Sequence, residues 1–126
     1  MAIWVIVLAA VSSFVLGGLW YSPLLFGKVW NDENGGVPHP GHPARVFGVS
    51  LVFSLLAATC FAHLVGPAPE LHHALHMGLL VGLGLVGASF AINYQFAQRS
   101  FKLWLIDGGY HTLQFMLFGL VFWLCS

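Results

Sequence analysis

The amino-acid sequence predicts an all-α fold, a single domain over residues 1–126 in which four helices cross a membrane as a bundle. Of the 126 residues, 59% are hydrophobic and only 6% are charged, whereas a soluble domain carries roughly 25% charged residues. The apolar residues fall into four stretches, approximately residues 2–26, 46–65, 75–96 and 103–124. Each meets or exceeds the ~20 residues that a helix needs to cross ~30 Å of hydrocarbon. Because lipid offers no partners for backbone polar groups, these stretches are predicted to be helices.

The first stretch ends in the sequence GGLWYSPLLFGKVWND, residues 17–32, which is typical of a membrane interface. Trp20 and Tyr21 are residue types of the headgroup level, and Lys28 follows them. Pro23 lacks a backbone donor and disfavours helical geometry in the residue before it, so a kink or a helix end is expected there. No Lys or Arg precedes the apolar part and no small-residue cleavage site follows it, so we expect a retained helix and not a secretory signal.

The basic residues predict the orientation of the bundle. Lys28 and Arg45 lie in the loop at residues 27–45, Arg99 and Lys102 lie in the third loop, and the termini and the second loop have none. Loops rich in Lys and Arg remain in the cytoplasm. Both termini are therefore expected on the extracytoplasmic side, with residues 27–45 as a cytoplasmic loop. A bias this one-sided also argues against a dimer of inverted copies.

Small residues predict where the helices pack. In the third stretch Gly78, Gly82 and Ser89 fall on one face at 100° per residue, and Asn93 continues that face. The first stretch has Gly17 on a comparable face. Small side chains let helices approach closely in lipid, where no hydrophobic force drives helices together. We expect these positions at helix contacts, either within the chain or with a second copy.

The fourth stretch carries most of the polar side chains inside the predicted spans. Its sequence LWLIDGGYHTLQF places an acid, a histidine and a glutamine on one face, with a tyrosine beside them. An ionisable residue at this depth is costly and usually faces the bundle interior or a water-filled cavity. Polar residues of the other three spans are expected at the same level. The candidate pocket comprises Asp107, His111, Asn93, Tyr21, Ser50, Ser54, Tyr110 and Gln114.

This polar cluster has two interpretations. It is a pocket in the cytoplasmic half that receives a small ion or polar ligand, or it is a hydrogen-bond network that only holds the helices together. Under the first we expect Asp107 to point into the bundle, within hydrogen-bonding reach of at least one of Asn93, Tyr21 and His111. An Asp107 that reaches the headgroups beside Lys102 would contradict the pocket.

Histidines form a second group on the opposite side of the membrane. His72 and His76 are one turn apart at the start of the third stretch, and His63 lies at the end of the second. Histidines at i and i+4 can share a metal ion. Because only one acid and no well-placed cysteine lie nearby, no metal site and no cofactor is predicted. His39 and His42 belong to the first loop, where Pro and Gly favour turns and a metal role is still less expected.

Two segments of the sequence resemble a known family. LGGLWYSPLLFGKVW near the N-terminus and INYQFAQRSFKLWLIDGGYH late in the chain are similar to the small bacterial membrane proteins of domain-of-unknown-function family 1761. The late elements that carry the likeness are Asn93, Tyr94, Lys102–Trp104 and Gly109–His111. The resemblance covers nearly the whole chain and implies a four-helix architecture in the bacterial cytoplasmic (inner) membrane, with no established activity. An uncharged polar residue is expected in the family where Asp107 stands.

The residues indicate two classes of function. The first is the binding or passage of a small ion or polar ligand in the pocket around Asp107. The second is an accessory or structural role, in which glycine faces dock on a larger membrane complex or on a second copy of the chain. No nucleophile with an adjacent base, no paired carboxylates and no phosphate loop is present, so an enzyme is not predicted. Zero net charge gives no basic face for nucleic acid, which leaves the bilayer, a homo-oligomer or a membrane complex as partners.

Overall fold

The computed structural model describes residues 1–36 and 43–126, and within these ranges the chain is helical without strands. The helices are α1 (Ile3–Trp20), α2 (Gly27–Glu33), α3 (Pro43–Val65), α4 (Leu71–Leu79), α5 (Ala88–Phe96) and α6 (Phe101–Leu124). A π-helical segment, Leu80–Gly87, joins α4 to α5, so Leu71–Phe96 is one long helix. The predicted loop at residues 27–45 thus contains α2, and its histidines, His39 and His42, lie outside the described residues.

Three helices are long and apolar enough to cross a membrane, namely Ile3–Trp20, Pro43–Val65 and Leu71–Phe96. α6 has a similar length, 24 residues, but its polar residues between positions 107 and 114 lower its hydropathy. Large apolar side chains on the outside of the bundle are exposed, such as Ile3, Leu24 and Phe96 at 80%, 82% and 87%. An apolar surface this extensive is typical of a protein that is covered by lipid or by a partner.

α6 is the central helix of the bundle. Its start is fixed by Ser100, whose hydroxyl accepts a hydrogen bond from the Leu103 backbone nitrogen at 3.1 Å, the geometry of an N-cap. One side of α6 packs along the long helix Leu71–Phe96, and another side packs along α1. α3 packs mainly on α1 and has little contact with α6. The polar residues of α6 therefore face other helices, with a gap on the side of α3.

The apolar core lies in the half of the bundle that contains both chain termini. Phe61 of α3 is buried there, with its ring centroid 6.3 Å from that of Phe118 and 6.0 Å from that of Phe122, both in α6. Ala9 and Ala58 are fully buried beside them and let the backbones of α1 and α3 approach. In the other half, every residue of α3 from position 43 to 50 is exposed. The bundle is closely packed at one end and open at the other.

Two glycines allow the long helix to lie directly against α6. A Cβ at Gly78 would lie 2.7 Å from a Cα of α6, and a Cβ at Gly82 would lie 2.6 Å from another. Because the obstacle is backbone, neither position has room for a side chain. Gly17 of α1 is less constrained, since its Cβ would meet the Tyr110 hydroxyl oxygen at 3.1 Å. Small residues at these three positions permit the close approach of helices that lipid-embedded bundles need.

The π-helical segment changes which face of the long helix points inward. Its hydrogen bonds run from i to i+5, so it adds one residue relative to an α-helix. Beyond it, Ser89 and Asn93 are exposed, whereas Phe90 and Tyr94 are partly buried. The predicted pocket position at Asn93 is therefore corrected, and each inward position falls one residue later. Ser89 does not face the other helices of the chain, and its contact with a second copy stays a prediction. The Ser89 hydroxyl donates to the Leu85 carbonyl of its own helix at 2.7 Å.

α1 ends at Trp20, six residues before the end of the predicted span at 26. The backbone then turns, with Gly27 N donating to the Ser22 carbonyl at 3.0 Å. Pro23 lies within this turn, as expected from its missing donor. Gly27 allows the turn to close, because a Cβ there would lie 2.3 Å from the Tyr21 carbonyl oxygen. The turn places α2 against the N-terminal part of α6.

The first and third loops meet at the same end of the bundle. Arg99 Nη1 donates to Asn34 Oδ1 at 3.2 Å, and Asn34 Nδ2 donates to the Trp30 carbonyl at 2.8 Å. Lys28 lies in α2 and Lys102 in the first turn of α6, and both are exposed. The basic residues of the two loops are therefore on one side of the molecule, opposite the chain termini.

Candidate functional site

Asp107 is buried at the junction of four helices. Its side chain is 7% exposed, and both carboxyl oxygens accept hydrogen bonds. The Tyr21 hydroxyl donates to Oδ1 at 2.5 Å and Trp30 Nε1 donates to the same oxygen at 3.0 Å. The Tyr94 hydroxyl donates to Oδ2. Lys102 is exposed and is not among these partners, so Asp107 points into the bundle and not toward the headgroups.

The three donors come from different parts of the chain. Tyr21 follows α1, Trp30 lies in α2 and Tyr94 lies in α5. Tyr21 was expected from the sequence, whereas Trp30 and Tyr94 were missed as partners. Their signal was present, because both are aromatic residues with a hydrogen-bonding group near a predicted interface, but no spacing in the sequence indicates that they contact Asp107. A buried polar group is costly unless it is paired, so all three elements are held to α6 at this point.

Two further tryptophans bond to backbone carbonyls near Asp107. Trp20 Nε1 donates to the Ile106 carbonyl at 2.9 Å, and Trp104 Nε1 donates to the Gly87 carbonyl at 2.8 Å. Gly87 ends the π-helical segment, so the second bond joins the start of α6 to the long helix at that point. These two bonds join α1 and the long helix to α6 at the end of the bundle that contains Asp107, outside the apolar core.

A cleft of about 800 Å³ opens between α3 and the pair formed by α1 and α6. This volume lies within the range of about 300–1,000 Å³ that is typical of sites for small molecules. Most of the cleft wall is apolar, and Phe47, Phe53 and Phe115 contribute to it. The polar residues in its lining are Tyr21, Ser50, Ser54, Tyr110, His111 and Gln114.

These six residues belong to the set of eight that the sequence indicated as a pocket. The other two are placed differently. Asp107 is beside the cleft and is not one of its lining residues. Tyr21 connects the two, because it lines the cleft and its hydroxyl donates to the Asp107 carboxyl group. Asn93 is exposed on the outer face of α5. The carboxyl group of Asp107 is thus fully hydrogen-bonded and lies apart from the cleft, whose described lining residues include no acid.

A hydrogen-bond network forms one wall of the cleft. His111 Nδ1 lies 2.8 Å from Gln114 Oε1, and Gln114 Nε2 donates to Ser13 Oγ across a longer distance of 3.5 Å. Ser13 Oγ in turn donates to the Ala10 carbonyl at 3.0 Å. The Tyr110 hydroxyl donates to the Ser13 carbonyl at 3.0 Å. The network joins α6 to α1 and holds the His111 side chain in place.

Aromatic contacts further restrict the His111 ring. Phe90 stacks on it with ring centroids 5.0 Å apart and planes 16° apart, and the Tyr110 ring meets it edge-on at 5.0 Å. Phe90 was not predicted as a site residue, since an α-helical register places it beside the expected face. With one ring face stacked on Phe90 and Nδ1 bonded to Gln114, Nε2 is the ring nitrogen of His111 that has no hydrogen-bond partner among the described residues.

The histidines on the opposite side do not form a metal site in the described part of the chain, where no group of three or more His, Cys, Asp or Glu side chains converges. His72 and His76 lie with parallel rings, their centroids 6.1 Å apart. His63 Nδ1 is 2.9 Å from the Thr59 carbonyl oxygen of its own helix. Of these three histidines, His72 and His76 thus lie side by side, and His63 bonds within its own helix.

Comparison with known protein families identifies the chain. Residues 4–123 match the family described as "Protein of unknown function (DUF1761)". The chain belongs to the DUF1761 family. The resemblance noted from the segments around Trp20 and Asp107 is therefore confirmed over nearly the whole length. No curated protein and no solved structure matches this DUF1761 protein, so its function is argued from the geometry of its own residues.

Proposed function

We propose that this DUF1761 protein is a four-span membrane protein that binds a small molecule in the cleft between α3 and α6. The observation that carries the proposal is the cleft itself, because its volume of about 800 Å³ combines apolar walls with a few polar groups. This combination is typical of ligand sites, in which apolar contact gives affinity and a few polar groups fix orientation. The fourth span is α6, whose polar residues are turned toward other helices.

The orientation follows from the charges at the two ends of the bundle. The first and third loops carry Lys28, Arg45, Arg99 and Lys102, and the ends of the helices near the termini carry no Lys or Arg. By the positive-inside rule, the loop end with α2 faces the cytoplasm. The cleft lies in that half, beside the exposed first turns of α3. The location that we propose is the bacterial cytoplasmic membrane.

We propose binding and no catalysis. Among the residues that the structure describes, Asp107 is the buried acid, and both of its oxygens are occupied by donors from Tyr21, Trp30 and Tyr94. A general base needs an accessible lone pair within reach of its substrate, so the occupied oxygens of Asp107 are not placed for that role. The role that the geometry supports for Asp107 is to hold the helices around the cleft, with Tyr21 as the connection.

Two glycines allow a matched test of this proposal. Gly18 lines the cleft and a Cβ there meets no atom within 4 Å, so Gly18→Leu adds a side chain at the cleft wall whose Cβ has room. Gly48 is equally open and does not line the cleft, so Gly48→Leu is the control. The wild type and both variants are purified in lipid nanodiscs, and the bound small molecules are extracted and identified by mass spectrometry.

We expect one compound to be enriched with the wild type and the Gly48→Leu variant and to be depleted with Gly18→Leu. Equal amounts of every extracted compound in the three samples would contradict ligand binding in the cleft. Recovery of a protein partner with all three samples and no enriched small molecule would support the accessory role instead.

A further inference from the structure

Resting on the proposed binding function, we propose that the ligand is an uncharged amphiphile that enters the cleft from the bilayer between α3 and α6. Its polar head bonds to His111 and Ser54, and its hydrocarbon part lies along the aromatic wall of α3. Three independent features of the cleft lead to this class of ligand. They are the absence of charged side chains among the described lining residues, the hydrogen-bonding groups that have no partner among the described residues, and the direction in which the gap opens.

The first feature is the charge of the lining. Among the described residues that line the cleft, none is Asp, Glu, Lys or Arg. Asp107 is nearby, but its oxygens already accept hydrogen bonds from the protein. A charged group moved from water into an apolar site without a counter-charge loses several kcal/mol of hydration free energy. The cleft therefore favours a neutral ligand over an ion or a charged headgroup.

The second feature is the pattern of free donors and acceptors. Ser13 Oγ donates to the Ala10 carbonyl, so it accepts from Gln114 Nε2, and Gln114 Oε1 then accepts from His111 Nδ1. The proton of the neutral His111 ring is thereby assigned to Nδ1, which leaves the lone pair on Nε2. Among the described residues no buried side-chain nitrogen or oxygen lacks a partner, so the unpartnered His111 Nε2 is open to the cleft.

The same reasoning applies to a serine on the facing helix. Ser54 lines the cleft, and its hydroxyl bonds to none of the described residues, so it also remains accessible. A ligand hydroxyl is a donor and an acceptor at once. It matches this pair, because it donates to His111 Nε2 and accepts from the Ser54 hydroxyl. An aliphatic alcohol is therefore the simplest probe of the proposed head group.

The third feature is the lateral opening of the gap. α3 and α1 are both candidate membrane spans, and α3 lies along α1 with little contact to α6. A gap between helices that cross the membrane faces the hydrocarbon at its own depth. Val46, Phe47, Val49 and Phe53 of α3 line the cleft and are also exposed. These side chains offer a continuous apolar path from the bilayer into the cleft, which suits a hydrocarbon chain.

Three photoreactive probes with the same 12-carbon chain test this inference. Each carries a diazirine at the chain end, and the heads are a hydroxyl, a sulfate and a trimethylammonium group. The full-length protein in nanodiscs is labelled with each probe, and labelled peptides are mapped by mass spectrometry. We expect the alcohol to label the cleft segment of α3, residues 46–57, and to be displaced by unlabelled 1-dodecanol. The two charged probes are expected to label this segment no more than they label other lipid-facing segments.

Two variants test the hydrogen bonds to the head. His111→Phe keeps a ring against Phe90 and removes Nε2, and Ser54→Ala removes the hydroxyl. Each is expected to weaken displacement by 1-dodecanol roughly fivefold, the effect of losing one hydrogen bond. Ser89→Ala is the control, because Ser89 is exposed on the lipid-facing side and bonds only within its own helix. Unchanged displacement with both cleft variants would overturn the proposed head contacts.

The outcomes separate this inference from the proposed function. Labelling of residues 46–57 by the sulfate or ammonium probe, removed by Gly18→Leu, would overturn the neutral class and leave ligand binding in the cleft intact. Labelling by the alcohol that Gly18→Leu does not change would overturn both. If His111→Phe unfolds, Ser54→Ala and the comparison of the three heads on the wild type still decide the result.

Discussion

Replacing Asp107 by Leu is expected to destabilise the bundle. The substitution removes the acceptor of three hydrogen bonds, from Tyr21, Trp30 and Tyr94, and leaves their donors without that partner. Interhelical polar contacts in membrane proteins contribute about 0.6 kcal/mol each on average, whereas an unsatisfied buried donor costs about 1–3 kcal/mol. Three lost bonds at the lower value give a loss of about 2 kcal/mol in the free energy of unfolding.

A conservative variant and a surface variant make this prediction specific. Asp107→Asn keeps the shape of the side chain and one oxygen acceptor, and its amide donates to a tyrosine oxygen, so we expect less than half of the loss seen with Leu. Asp32 is exposed in α2, so Asp32→Leu is expected to change the stability by no more than about 0.5 kcal/mol. Stability is measured by titration with sodium dodecyl sulfate in mixed micelles. If Asp107→Leu is as stable as Asp32→Leu, the hydrogen bonds at Asp107 do not hold the helices together.

Three further predictions follow from the packing and the topology. Gly82→Leu should lower the free energy of unfolding by about 1–3 kcal/mol because its Cβ meets the backbone of α6, while Gly84→Leu, which meets no atom within 4 Å, should not; similar losses would place Gly82 away from α6. Asn93→Ala should leave stability within about 0.5 kcal/mol, since Asn93 is exposed, and a larger loss would refute the shifted register. Cysteines at Gly36 and Glu70 should react with an impermeant maleimide from opposite sides of the membrane, and labelling from one side alone would contradict four spans.

The all-helical fold with long apolar helices was predictable from the sequence because it follows from general properties of lipid. Long apolar stretches must form helices when no water is present to bond the backbone. α-Helical periodicity predicts Gly78 and Gly82 correctly as packing positions, because Gly78 precedes the π-helical segment and Gly82 lies near its start. Polar residues in an apolar stretch must find partners, which indicated where Tyr21, His111 and Gln114 belong.

The partners of Asp107 were only partly predictable. A residue inserted into a helix produces no distinct pattern in a run of apolar residues. The sequence therefore predicts an unbroken register of 3.6 residues per turn after Gly87. That register places Asn93 on the inward face. In the structure the inward face instead follows Gly82, Phe90 and Tyr94, which are separated by multiples of four residues. The contact with Trp30 depends on the turn before α2, which is set by backbone geometry around Pro23 and Gly27.

The apolar character of the cleft also required the structure. The sequence predicts a polar pocket because polar side chains are easily recognised in a chain that is mostly apolar. The aromatic and aliphatic residues of α3 that form most of the wall, such as Phe47 and Phe53, have the same composition as a lipid-facing surface. Only the position of α3 beside α1, away from α6, distinguishes the two roles.

A structure of the protein in lipid nanodiscs, determined with and without 1-dodecanol, shows whether the cleft binds a neutral amphiphile. We expect α3 to stand apart from α6 at the level of Ser54 and His111, and non-protein density to occupy the cleft and contact His111 Nε2 when the alcohol is present. A structure in which residues 46–53 of α3 pack against Tyr110 and His111, with no space between α3 and α6 in either condition, would contradict it.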